Sequence, residues 1–99
     1  MVRHIVMWNF KEGLSDEEKE MNARRAKDEL EALAGIIPGV VSLRVVTPAL
    51  ESGNRVVVLN SLFASEEALA AYQVHPEHVR VSGYIGTVMT DRACADYFE

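Results

Sequence analysis

The chain has 99 residues, 48% of them hydrophobic and 25% charged, with a formal net charge of -5 and a pI near 5.2. That length suits one domain, 1–99, and the excess of acids argues against nucleic-acid binding, which needs a concentrated basic patch. One cysteine rules out an internal disulfide. No apolar run approaches a membrane span, and "MVRHIVMWNF" lacks the core and cleavage site of a signal peptide, so the expectation is a cytoplasmic protein with no membrane partner.

The first segment, "VRHIVMWNF", is rich in β-branched and aromatic residues and reads as a strand. Its even positions (Val2, His4, Val6, Trp8, Phe10) and its odd positions Ile5 and Met7 are largely apolar, so both faces call for cover. Residues 14–39 read as a helix. Ser15 is a fit N-cap with Glu18 placed to complete a capping box. Acids at 16, 17 and 18 suit the positive end of the helix dipole. Ala23, Ala26, Leu30, Leu33 and Ile37 form an apolar stripe at helical spacing, and Pro38 and Gly39 close the segment. Arg24, Arg25 and Lys27 sit among acids and read as a solvated face.

"VVSLRVVT" at 40–47 and "RVVVLNSLF" at 55–63 read as the second and third strands. The connection between them is long for a tight hairpin. Ser65 caps a further helix, with Glu66 and Glu67 in its first turn. Pro76 interrupts that helix and suits the first position of a new one, which carries Val79, Tyr84, Ile85 and Val88. "RACADYF" at 92–98 completes the set as a last strand. The order β-α-β-β-α-β predicts an α+β fold, a ferredoxin-like βαββαβ sandwich with an antiparallel sheet. Helices cover one face of such a sheet. A second copy is the simplest cover for the other, so a homodimer is expected.

Three stretches, "RHIVMWNFK", "HPEH" and "DRACADYF", together resemble the stress-responsive A/B barrel (Dabb) family over essentially the whole chain. The resemblance implies a dimeric α+β barrel built from ferredoxin-like subunits. A plant branch of that family cyclises polyketides without a cofactor, using histidines that match His4 and His78 and a tyrosine near the position of Tyr72. Related barrels include cofactor-free monooxygenases and haem-degrading enzymes. The plant branch has a tyrosine on its first helix, whereas no tyrosine lies between Leu14 and Ile37 here. The implication is a histidine site of that design rather than polyketide cyclisation itself.

The candidate catalytic residues are therefore His4, His78 and Tyr72. Two uncharged imidazoles facing one pocket can divide the work of carbon-acid chemistry. One removes a proton beside a carbonyl and the other donates to the developing enolate oxygen. Tyr72 would orient the substrate or donate to the same oxygen. Bland readings stand beside these. A lone histidine on an apolar strand face is usually a satisfied core residue, and Tyr72 also suits a packing aromatic with its hydroxyl at a rim. His75 reads as a cap before Pro76, and Cys94 as core rather than nucleophile. Nothing matches a zinc or nucleotide motif, since HExxH and cysteine clusters are missing and "SGYIG" fits no phosphate loop. No metal-ligand residues and no cofactor are expected, while a weakly held divalent ion on carbonyl and carboxylate oxygens stays open. Two functions remain open: a cofactor-independent enzyme acting on a small hydrophobic, aromatic or polyketide-like compound, and a non-catalytic stress-responsive ligand-binding or interaction protein.

Overall fold

The computed structural model describes residues 1–99. Strand β1 (Val2–Phe10) leads into helix α1 (Asp16–Ala32), followed by a 3-10 turn at Leu33–Gly35, then β2 (Val40–Val46) and β3 (Val57–Phe63). Helices α2 (Glu66–Val74) and α3 (Pro76–Val88) precede β4 (Met89–Phe98). The sheet order is β2-β3-β1-β4, and every neighbouring pair is antiparallel. This is the ferredoxin-like topology expected from the order of elements.

Local chemistry sets the boundaries. The Ser15 side chain accepts from the Glu18 backbone N–H while the Glu18 carboxylate accepts from the Ser15 N–H, each at 3.1 Å. That reciprocal pair satisfies two donors that the first helical turn leaves orphaned. Helix α1 ends at Ala32, earlier than residue 39 as read from sequence, because the chain tightens at Leu33–Gly35. Gly39 then turns into β2 at φ +87°, where an added Cβ would sit 2.6 Å from the Ala68 Cβ. Ser65 caps α2 by accepting from the Ala68 N–H, and His75 caps α3 through Nδ1, which accepts from the Glu77 N–H. Pro76 opens α3, where its missing N–H costs nothing. Strand β4 begins at Met89, three residues earlier than expected, since α3 passes into it without a loop.

The helices pack on the face of the sheet that carries the even residues of β1. Val2, Val6 and Trp8 share one buried cluster with Leu30 and Leu33 of the α1 region, Leu69 and Tyr72 of α2, and Val81 and Ile85 of α3. Ala23, expected in the buried stripe, is only half-buried. The opposite face carries Arg3, Ile5, Met7 and Asn9 of β1, all half-buried. Two side chains of α1 also satisfy edge strand β2. Lys27 donates to the Val45 carbonyl at 2.8 Å, and Glu31 accepts from the Val45 N–H at 2.9 Å. Such cover blunts an edge that would otherwise invite pairing with another chain. No helix is long and apolar enough to cross a membrane.

Candidate functional site

His4 stands in the middle of β1, on the helix-facing side, and is 2% exposed. Across the ladder it pairs with Ser61 of β3 on one side and Asp96 of β4 on the other. Ser61 is fully buried and its hydroxyl donates to the His4 backbone carbonyl at 2.7 Å. The Asp96 carboxylate is in direct hydrogen-bond contact with His4 Nδ1. A carboxylate accepts, so Nδ1 carries the proton and Nε2 is the free nitrogen. The His4 side chain is 3% exposed and that of Asp96 42%, so the buried ring is tethered to a half-exposed acid on the edge strand.

His78 sits in the first turn of α3. Its Nδ1 lies 3.1 Å from the backbone carbonyl of Gln73. A carbonyl only accepts, so Nδ1 again donates and Nε2 is again free. Burial holds the His78 ring below the usual histidine value, against the opposing pull of the Gln73 carbonyl. An uncharged His78 at neutral pH is the result.

Both imidazoles line one cavity of about 250 Å³. Val6, Trp8, Leu30, Leu59 and Ile85 supply its apolar wall, with Ser82, Thr90, Asp91 and Arg92 as polar neighbours. The volume lies at the small end for ligand pockets. A wider groove of about 870 Å³ runs between α1 and the connection after β2, past Lys19, Arg24 and Lys27. It contains neither histidine, so chemistry rather than size selects the smaller cavity.

Tyr72 packs against both rings, with its centroid 4.3 Å from that of His78 and 6.3 Å from that of His4. Phe63 completes the stack at 4.8 Å from Tyr72. Tyr72 is fully buried rather than at a rim, and it is not among the residues lining the cavity. Its hydroxyl has no hydrogen-bond partner, and burial pushes its pKa up to about 12.

Sequence reading missed Asp96. The visible trace was an acid in β4 at the same parity as Cys94, but only the strand register ties it to His4. Cys94, expected in the core, is exposed. Strand β4 is one of the two outer strands of the sheet, and past Met89 its residues are exposed save half-buried Ala93. Desolvation, then the nearby Asp96 carboxylate, push the Cys94 thiol up, which makes it a poor nucleophile. His75 serves as the cap of α3 and lies outside the cavity lining.

Residues 2–99 match the family described as the stress responsive A/B barrel domain. No curated protein matches the chain. Among solved structures, a dimeric protein of unknown function with a ferredoxin-like fold from Bacteroides fragilis is 28% identical, with a TM-score of 0.91, and the match covers 99% of this chain and 95% of that one. An Arabidopsis thaliana protein at 24% identity has a TM-score of 0.81, covering 100% and 95% of the two chains. A Dabb family protein with a ferredoxin-like fold from Mesorhizobium loti is 22% identical, with a TM-score of 0.76 and coverage of 99% and 95%. With a family match over nearly every residue and the same fold in these neighbours, the chain belongs to the stress responsive A/B barrel domain family.

Proposed function

We propose that the protein is a cofactor-independent enzyme, working as a cytoplasmic homodimer, that moves a proton at a carbon beside a carbonyl in a small, largely apolar or aromatic molecule. One observation carries the reading: His4 and His78 line the same cavity, and each has Nδ1 committed elsewhere and Nε2 free. Uncharged His78 is the base. Its Nε2 takes the proton from the carbon, and the electron pair moves onto the carbonyl oxygen as an enolate. Asp96 accepts from His4 Nδ1 and fixes its ring, and His4 Nε2, when it carries a proton, donates to that oxygen. The enolate carbon then attacks a second carbonyl of the same molecule, whose oxygen takes the π electron pair and then the proton back from His78, or His78 returns the proton at another carbon. Tyr72 is a positioning residue that holds His78 through ring packing.

The dimer reading rests on the sheet face that carries Ile5 and Met7, half-buried in the single chain, and on the dimeric description of the Bacteroides fragilis protein. The single cysteine fits a reducing compartment. Hydrogen–deuterium exchange at carbon in a panel of enolisable aryl ketones, followed by NMR, tests the chemistry without knowledge of the natural substrate. Wild-type protein is expected to accelerate exchange in at least one ketone. His78→Ala should lose roughly 10²–10⁴-fold of that acceleration with its melting temperature nearly unchanged. Saturable binding with no exchange would assign a ligand-binding protein instead.

A further inference from the structure

The Cys94 Sγ lies 3.8 Å from His4 Nδ1 and 3.7 Å from Asp96 Oδ1. All three potential ligand atoms lie within 4.8 Å of one another. The grouping follows from strand geometry. Cys94 and Asp96 are two residues apart on β4 and therefore share a face, and His4 is the direct cross-strand partner of Asp96. We propose that His4 Nδ1, Cys94 Sγ and Asp96 Oδ1 form a binding site for a zinc-like divalent transition-metal ion. The inference rests on the functional reading above in one respect: it concerns the same His4–Asp96 pair.

Bond lengths decide whether an ion fits. Zinc takes imidazole nitrogen and carboxylate oxygen at about 2.0–2.1 Å and thiolate sulfur at about 2.3 Å. In a tetrahedron these lengths place the sulfur roughly 3.5–3.6 Å from each of the other two atoms. The separations of 3.8 and 3.7 Å are a few tenths of an ångström from that. Only Nδ1 and Oδ1, which share a proton, must move apart to admit an ion. Asp96 is able to yield, since its side chain is 42% exposed on an outer strand. One nitrogen, one sulfur and one oxygen favour a borderline ion such as zinc or cobalt over magnesium or calcium, which prefer oxygen alone. Three protein ligands leave a fourth position for water or a ligand oxygen.

Binding also changes what His4 presents to the cavity. The Cys94 thiol gives up its proton to solvent, and a neutral His4 ring releases the proton at Nδ1 and takes one up at Nε2. With the ion in place, Nε2–H is a fixed donor. Without it, neutral His4 offers Nε2 as an acceptor. A metal would thus convert His4 from a ring that changes roles to one that only donates.

Titration of the chelator-treated protein with cobalt(II) tests the site. The expected result is one ion per chain, with a thiolate-to-cobalt charge-transfer band and the intense visible spectrum of tetrahedral cobalt. Cys94→Ser should abolish the charge-transfer band and weaken zinc, measured against a chromophoric chelator, at least tenfold. Zinc should raise the melting temperature of the wild type and not that of Cys94→Ser. His78→Ala should give the wild-type cobalt spectrum. A pale octahedral spectrum without the thiolate band, or zinc affinity unchanged in Cys94→Ser, overturns the site. Ketone exchange by the chelator-treated protein is read independently, so loss of the metal site and loss of the proton-transfer reading are separate outcomes.

Discussion

Replacing Tyr72 by phenylalanine should stabilise the fold. The hydroxyl is buried and has no partner, so folding strips it of water and returns no hydrogen bond. Such a group costs about 1–3 kcal/mol. The ring contacts with Phe63 and His78 remain in Tyr72→Phe, and the space left is smaller than a methyl group. After a small loss of packing, the net gain should be about 1 kcal/mol at neutral pH, or a rise in Tm of roughly 4–8 °C for a domain of this size. Alkaline pH should widen the gap. The phenol titrates at about 12 in the folded chain against 10.0 as the reference value. The unfolded chain therefore loses this proton first. The stability tied to the neutral phenol is complete below pH 10 and lost as pH rises from 10 to 12, by roughly 2–3 kcal/mol in all. Phenylalanine has no such proton, and the remaining tyrosines cancel in the comparison. Urea denaturation of both proteins from pH 7 to 11 measures the two effects. If Tyr72→Phe is less stable than wild type by 1 kcal/mol or more at pH 7, or if the two curves run parallel above pH 10, the hydroxyl is satisfied and the reasoning fails.

His78 gives the opposite dependence at low pH. Its folded value lies below 6.5, so the unfolded chain takes up this proton first, and stability should fall as pH drops below 6.5. Denaturation of His78→Asn over pH 7 to 5 should show a shallower decline than wild type. Turnover that depends on uncharged His78 should persist below pH 6.5 and fail only at the depressed value, which a rate profile would reveal as an acid limb displaced from that of a free imidazole. Gly39→Ala combines a left-handed backbone with a 2.6 Å contact to the Ala68 Cβ. It should cost roughly 2 kcal/mol or more, while the nearby Gly35→Ala, with open space around it, should be close to neutral in thermal melts.

Elements whose limits are written in side chains were legible in sequence. Ser15 with Glu18 and Pro76 after His75 each name a helix start, and the even positions of β1 name a buried face. Elements whose limits depend on tertiary geometry were not. The passage from α3 to β4 has no turn residues to announce it, and the register shift between Met7 and Asn9, opposite Asp91 at φ 56°, has no pattern of its own. The site was legible to the same extent. His4 and His78 stood out as rare residue types, but Asp96 is one acid among fifteen Asp and Glu residues until the pairing of β1 with β4 sets it beside His4. Cys94 misled because alternation within a strand says which way a side chain points, not whether anything lies above it.

That same pairing of first strand with last governs when the molecule can be finished. Strand β1 is interior to the sheet, flanked by β3 and β4, and both neighbours are synthesised after it. Asp96 follows His4 by 92 residues, so until that stretch has been made β1 carries an unzipped border and its imidazole has no carboxylate to hold it. Within this fold the His4–Asp96 pair thus forms only once β4 has joined β1, and a chain halted before residue 89 leaves that border of β1 open to pairing with another strand.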